Sequence, residues 1–250
     1  RSSDLGLQNY IKMLTEEKYF WQAVKVTVTY AVTAVPLGII GSFLLAMLLD
    51  QRLKGIAFFR TCFYMPTIVP ALASAVLWGW LLNPDYGLVN AILFKLGLPT
   101  SRFLSDPKSA LASLVMMSLW GIGGGMVIYL AGLQGIPQTL YEAGKIDGAS
   151  GLKLFRHITI PLMTPTIFFN LVMGLIGAFQ YFTGAFVLTA GGPLFATYFY
   201  NLMLYERAFK WVQMGMASAM AWFLLVAVLI MTLLVFRSSS AWVYYETEVK

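Results

Sequence analysis

The stretch YEAGKIDGASGLKLFRHITIPLMTP, from Tyr141 to Pro165, lies between two long apolar segments and carries six ionisable side chains. Pro137 lies shortly before this stretch, and proline is a residue type that the first turn of a helix tolerates. Apolar residues after it recur at helical spacing, which predicts a first short helix. Gly148 is expected to bend the chain, and a second short helix is expected to begin near Ser150 and to end at Pro161. Because so many charges cannot lie in hydrocarbon, the stretch predicts a helix–turn–helix at a membrane surface.

The composition of the chain is that of an integral membrane protein. Hydrophobic residues make up 59% of the 250 positions and charged residues 11%, whereas a soluble domain has about 45–50% and about 25%. Five segments are long enough to cross about 30 Å of hydrocarbon as helices. They are residues 23–49, 62–82, 109–133, 162–188 and 214–236. We therefore predict one all-α domain over residues 1–250, a polytopic bundle of transmembrane helices.

The five spans are nearly free of ionisable side chains, and this excludes several classes of function. Lys25, near one interface, is the only Asp, Glu, Lys, Arg or His within them, whereas ion-coupled transporters usually carry such groups in the membrane. His157 alone supplies neither a nucleophile with its base nor a set of metal ligands, and no GxxxxGK[ST] motif is present. Cys62, the single cysteine, cannot form an intrachain disulfide. The chain itself is predicted to be non-catalytic, with no cofactor or metal of its own.

The Lys and Arg residues behind the net charge of +6 are dispersed among the loops. This distribution favours contact with membrane lipid over contact with nucleic acid. When the loop 141–165 is placed in the cytoplasm, eight of these residues lie on that side and nine on the other. Since the cytoplasmic loops of a membrane protein usually carry more Lys and Arg than the loops on the other side, this near-equal count leaves the orientation undecided.

Neutral hydrogen-bonding, aromatic and glycine residues form stripes on the third and fourth spans. Asn170, Gly174, Ala178 and Tyr181 fall on one helix face of the fourth span. Two interpretations stay open: packing between helices, or a cavity that binds a neutral polyhydroxylated solute. The glycines of GIGGG, residues 121–125, likewise predict either close helix packing or an unwound stretch that lines a cavity. The candidate solute path comprises Met117, Trp120, Gly121, Gly124, Asn170, Gly174, Gln180 and Tyr181.

The polar loop resembles the EAA signature of permease subunits of binding-protein-dependent ABC importers. The matching positions are Glu142, Ala143, Asp147, Gly148, Ala149, Phe155, Ile158, Pro161 and Pro165, and Gly144 replaces the usual second alanine. The resemblance covers nearly the whole chain. It includes FFRTCFYMPTIVP (58–70), WGWLLNPDYGLVN (78–90), LTAGGP (188–193) and GMASAMAW (215–222). These segments look like the carbohydrate-uptake branch of the family, and specifically its larger, maltose-type permease subunit.

The resemblance implies a permease that passes a sugar or related polyhydroxylated solute into the cytoplasm, with the energy supplied by another chain. The loop 137–160 would be cytoplasmic and would dock its first helix on an ATPase subunit, which binds ATP and Mg. The coupling residues implied are Glu142, Ala143, Gly144, Asp147, Gly148 and Ala149. Members of this family usually have six core spans, so we expect one further span before residue 1.

The partners implied are a second homologous permease subunit, forming a heterodimer, a pair of ATPase subunits, an extracytoplasmic solute-binding protein and membrane lipid. The expected location is the cytoplasmic (inner) membrane of a bacterium or archaeon, crossed several times.

Three alternatives are kept. Glu142 could form only a surface ion pair with Lys145, worth about 0.2–0.5 kcal/mol. The chain could be an ATP-independent channel or facilitator for a neutral solute, in which case it would conduct alone. It could also be an assembly scaffold, in which case the two stripes would be packed without a cavity.

Overall fold

The computed structural model describes residues 7–51 and 53–244. About three quarters of the chain is helical, and the described residues contain no strand, so the all-α fold predicted from the sequence is confirmed. The α-helices are α1 (Gln8–Thr15), α2 (Phe20–Leu49), α3 (Ile56–Tyr64), α4 (Ala71–Leu81), α5 (Leu88–Lys95), α6 (Ala110–Leu119), α7 (Gly123–Gln134), α8 (Gln138–Ile146), α9 (Gly151–Leu154), α10 (Ile160–Phe179), α11 (Tyr200–Tyr205) and α12 (Met214–Ser239). Short 3₁₀ turns cover Met65–Ile68 and Phe103–Ser105, and π turns cover Phe155–Thr159, Ala185–Thr189 and Glu206–Lys210.

Three continuous helices are long and apolar enough to cross a membrane: α2, the helix Gly151–Phe179 and α12. Two further pairs meet the same criterion when each is taken as one interrupted span, namely Ile56–Ile68 with Ala71–Leu81, and α6 with α7. Among the described residues there are therefore between three and five candidate spans by length and composition.

The helix that corresponds to the predicted span 162–188 begins earlier in the chain than predicted, within the polar loop, and also ends earlier. It runs without interruption from Gly151 through Pro161 to Phe179, so the expected helix end at Pro161 is wrong. The physical reason lies in the π turn Phe155–Thr159, where the N–H of Ile160 donates to the carbonyl of Phe155, five residues back. A wider turn relieves the clash that a proline ring makes with the carbonyl four residues before it.

The third span is interrupted at residues 120–122, between α6 and α7. The glycines that follow the break pack closely. A methyl group at Gly123 would lie 2.0 Å from the carbonyl oxygen of Phe63, and one at Gly125 would lie 3.0 Å from Cβ of Ser42. Each of the two interpretations of GIGGG therefore applies to part of the motif. Gly123 and Gly125 are sites of close packing. The residues before Gly123 interrupt the helix.

The chain folds into two compact units. Within the described residues, the first unit comprises 7–35, 69–118 and 175–231, and the second comprises 36–51, 53–68, 119–174 and 232–244. In the first unit, the fully buried ring of Phe20 packs edge-on against Tyr200 and Phe223. The backbone N–H of Tyr200 donates to the Thr27 hydroxyl, and its own hydroxyl donates to the carbonyl of Met220. These contacts tie α2, α11 and α12 together.

The second unit has an apolar core built from the end of α2, from α7 and from the start of α10. Its members are Phe43, Ala46, Leu49, Met126, Tyr129, Leu130, Leu133, Ile136 and Met163. Tyr141, Phe155, Ile158 and Leu162 of the polar loop and its following helix pack against this core. The core therefore holds the loop in place.

Candidate functional site

The helix α8 forms the first half of the polar loop. It begins directly after Pro137, which supplies the N-cap position, and ends at Ile146, with Asp147 at the C-cap position. Gly148 then turns the chain with φ of +77°, a left-handed conformation that glycine adopts at no steric cost. The N–H of Ala149 closes the turn by donating to the carbonyl of Gly144. The bend predicted at Gly148 is confirmed.

One side of α8 is fixed to the rest of the second unit. The Tyr141 ring packs on the apolar core, and its hydroxyl lies 2.9 Å from the hydroxyl of Thr159. A methyl group at Gly144 would lie 2.6 Å from Cδ2 of Leu154, so the backbone of α8 lies almost directly on α9. The sequence placed Gly144 among the coupling residues, and the structure places it on this inner side.

The other side of α8 is open. Glu142, Ala143, Lys145, Asp147 and Gly148 are exposed, and Ala149 is half-buried. Within the polar loop the most exposed apolar side chains are Ile146, which is 87% exposed, and Leu152 of α9, which is 76% exposed. Polar and apolar side chains are thus exposed together on α8 and at the start of α9, and we call these residues the α8 outer surface (Glu142, Ala143, Ile146 and Leu152). Exposed apolar groups among polar ones are typical of an interaction site.

The carboxylate of Glu142 makes no ion pair within the described part of the chain. The ion pairs there are Arg207 with Glu17 and Lys210 with Glu206, both far along the sequence from the loop. The surface pair with Lys145 that the spacing allowed is therefore not formed. Both charged groups remain available to a partner.

A cleft of about 620 Å³ lies beside α8 in the second unit. It is lined by polar and charged side chains that include Asp50, Arg60, Gln134, Glu142 and Lys145. Arg60 is oriented by the end of α2, because its Nε and Nη2 donate to the carbonyl of Leu49 at 3.1 and 2.7 Å. No motif of the sequence assigns a role to this arginine; the available signal is its place near Lys54 in a short stretch between two apolar segments.

The candidate solute-path residues are divided between the two units. Trp120, Gly121, Gly124, Asn170 and Gly174 belong to the second unit, and Met117, Gln180 and Tyr181 belong to the first. Gly121 and Gln180 are exposed, and the other six are half-buried. Their role in a solute path stays a prediction.

In the second unit, Asn170 lies beside Gly125 of α7. Its Nδ2 donates to the carbonyl of Thr166 at 2.9 Å, within its own helix. Its Oδ1 lies 3.7 Å from the position that a methyl group at Gly125 would take. Among the described contacts the oxygen accepts no hydrogen bond, so it is the part of the side chain that could accept one from a solute.

In the first unit, Tyr181 lies beyond the end of α10, which stops at Phe179. The predicted helix face of Asn170, Gly174, Ala178 and Tyr181 is therefore wrong for its last member. The Tyr181 ring instead packs between Tyr30 and Phe199, with ring centroids 4.6 and 4.9 Å apart. Aromatic packing after the helix end fixes its position.

The segment after LTAGGP carries a cluster of ionisable groups in the first unit. The Tyr198 hydroxyl donates to Glu206 at 2.7 Å, and Lys210 pairs with the same carboxylate. Burial, assisted by the hydrogen bond and charge of Glu206, raises the pKa of Tyr198. Within the described residues, no three His, Cys, Asp or Glu side chains lie close enough to hold a metal ion.

A family model matches residues 34–242 of this chain, and its description is binding-protein-dependent transport system inner membrane component. The chain belongs to this family. It is a multi-pass membrane permease, and the EAA signature that the sequence presented lies inside the matched region.

Individual relatives agree with the family. This permease is 44% identical over 248 residues to the probable ABC transporter permease protein YesP of Bacillus subtilis, a match that covers 98% of this chain and 80% of YesP. It is 37% identical over 230 residues to the trehalose/maltose transport system permease protein MalF of Thermococcus litoralis, covering 92% of this chain and 77% of MalF.

The fold also matches a solved structure, the crystal structure of a bacterial alginate ABC transporter in complex with an alginate pentasaccharide-bound periplasmic protein. The TM-score is 0.86 at 24% sequence identity, over 95% of this permease and 84% of the matched chain. At that identity the match shows a shared fold.

Proposed function

We propose that this permease is the transmembrane subunit of an ATP-driven ABC importer for a sugar or related polyhydroxylated solute. An extracytoplasmic binding protein would deliver the solute, and a second homologous permease subunit would complete the path as a heterodimer. The setting is the cytoplasmic membrane of a bacterium or archaeon, with lipid around the spans and α8 in the cytoplasm. The sugar class is supported by the relative MalF, which is named as a trehalose/maltose transport permease.

The observation that carries the proposal is the contrast between the two sides of α8. The inner side is fixed to the core through Tyr141 and Gly144, whereas the outer side presents Glu142 and Ile146 without a partner among the described residues. A helix held rigidly with a charged and an apolar group exposed side by side is suited to bind a groove on another protein. We assign that partner as a pair of ATPase subunits, which would bind ATP and Mg.

The permease itself is proposed to be non-catalytic. Its spans supply almost no ionisable group, so energy must come from the ATPase through α8. ATP binding would favour one arrangement of the spans and hydrolysis would restore the other, because a ligand shifts an equilibrium toward the state that it binds better.

The test uses the complex of this permease, its partner permease, the ATPase pair and the binding protein in proteoliposomes. A panel of sugars that begins with trehalose and maltose is offered, and ATP hydrolysis and uptake are measured. We expect Glu142→Gln to lower both at least about tenfold, as the loss of one partner of a buried interfacial charge pair does. Glu16→Gln, at another exposed carboxylate, is the control and should leave both unchanged.

Two results would contradict the proposal. Retention of wild-type ATPase binding and stimulation by Glu142→Gln would show that α8 is not the docking helix. Sugar flux in liposomes that hold this permease alone, without ATP, would favour the ATP-independent facilitator.

A further inference from the structure

Two contacts join α8 sideways to the helix Gly151–Phe179, in addition to the turn that joins them along the chain. We propose that the hydrogen bond between the hydroxyls of Tyr141 and Thr159 makes these two side chains positioning residues, which transmit the movement of α8 to that helix. The inference rests on the proposed function, since it assumes that an ATPase moves α8.

The hydroxyl pair bridges elements that are 18 residues apart in sequence. Thr159 is buried, with 7% of its surface exposed, and Tyr141 is half-buried. On the Thr159 side the bond is buried, and a buried hydroxyl that lost its partner would be costly to leave without a hydrogen bond, so the bond keeps the two side chains together. The bond therefore fixes where along the helix α8 is attached.

The second contact lies one turn further along α8. A methyl group at Gly144 would lie 2.6 Å from Cδ2 of Leu154 and 3.4 Å from Cδ1 of Ile158. The leucine side chain thus fills the place that the methyl group of the family's usual second alanine would take. Close approach at Gly144 brings Tyr141 within reach of Thr159, so the two contacts form one attachment between α8 and the following helix.

The turn between the helices would transmit movement poorly by itself. Gly148 and Gly151 are exposed, and a methyl group added at either would meet nothing within 4 Å. Thr159, in contrast, lies in the π turn at the base of α10, which continues without a break to Asn170 and beyond. Movement that enters at Thr159 therefore enters the helix that carries the candidate solute-path amide.

The experiment compares Tyr141→Phe and Thr159→Val with wild type in the complex with the ATPase, by hydrogen exchange before and after addition of ATP with vanadate. Both substitutions remove one hydroxyl and keep the shape of the side chain. In wild type we expect the exchange of α8 and of α10 to change together. In either variant we expect the change in α8 to persist and the change in α10 to fall about fivefold, the factor that loss of one hydrogen bond implies.

A transport measurement accompanies the hydrogen-exchange experiment. It gives the number of ATP molecules hydrolysed per sugar molecule taken up, for a sugar of the panel that the wild-type complex transports. We expect this ratio to rise about fivefold in Tyr141→Phe and in Thr159→Val, and no further in the double variant, because both remove the same bond. Thr159→Ser keeps a hydroxyl and should restore the wild-type ratio. Tyr86→Phe, at an exposed tyrosine, is the control for loss of a phenolic hydroxyl.

The outcomes separate this inference from the proposed function. If α8 of the wild-type complex shows no change with ATP, the docking role fails. If α8 responds and the variants keep the wild-type response of α10 and the wild-type ratio, the transmitting role of the hydroxyl pair is wrong. An equal loss in α8 and α10 of the variants would also overturn it, because the bond would then serve docking or folding only.

Discussion

Gly123 shows how a single residue limits the approach of two helices. A methyl group at this position would lie 2.0 Å from the carbonyl oxygen of Phe63 and 3.0 Å from Cα of Tyr64. Both neighbours are backbone atoms, which cannot rotate away as a side chain does. The start of α7 can lie against α3 only because this residue is glycine.

We expect Gly123→Ala to destabilise the permease by about 1–3 kcal/mol, the range for overpacking a well-packed site. Thermal unfolding of the purified protein in detergent measures it. The matched control is Gly124→Ala, whose methyl group would lie 3.6 Å from Cγ2 of Thr67, an ordinary contact distance. Equal melting temperatures for the two variants would show that the backbone approach is not limiting.

At the scale of the element, the polar loop is a helix, a glycine turn and the first turns of a much longer helix. The sequence predicted the first helix, the bend at Gly148 and the start of the second helix near Ser150, because capping and turn residues act locally. It predicted a helix end at Pro161, because the rule against proline in a helix is also local. Phe155 and Ile158, in the π turn that admits Pro161, pack on the core, a contact that no local rule reveals.

We expect Gly148→Ala to cost roughly 1–2 kcal/mol, because its φ of +77° is unfavourable for a residue with a Cβ atom. Gly151→Ala is the control, since Gly151 begins α9 with a free space around it, and alanine there should be neutral or stabilising by up to about 1 kcal/mol. The measurement is the melting temperature of each variant, followed by ATP-driven uptake. A Gly148→Ala protein as stable as wild type would mean that the turn relaxes into another conformation.

At the scale of the whole molecule, hydropathy predicted five apolar segments but not where their helices break, and the described part of the chain has between three and five candidate spans. Gly123, after the interruption at residues 120–122, and Tyr181, after the end of α10, contact residues distant in sequence, namely Phe63 and Phe199. The same limit applies to the site. Glu142 and Gly148 could be read from the motif, whereas the bond between Tyr141 and Thr159 joins positions that no local pattern relates.

The interrupted pair Ile56–Ile68 and Ala71–Leu81 can be one span or a re-entrant loop by composition. We expect one span, so that loop 50–61 and the polar loop lie on the same side. In a Cys62→Ser background, single cysteines at Lys54 and Ser150 should react with a membrane-impermeant maleimide from the cytoplasmic side, and one at Asp85 from the opposite side. All three positions are exposed. Labelling of the Asp85 position together with the Lys54 position would identify a re-entrant loop.

The unbroken helix Gly151–Phe179 also has a mechanical consequence. Its 29 residues form a rod about 42 Å long at about 1.5 Å per residue. If the helix tilts as a rigid body, a tilt of about 5° at Gly151 displaces Phe179 by about 4 Å. That is more than the diameter of a water molecule, so a small movement of α8 would become a displacement of molecular size at the other end of the helix.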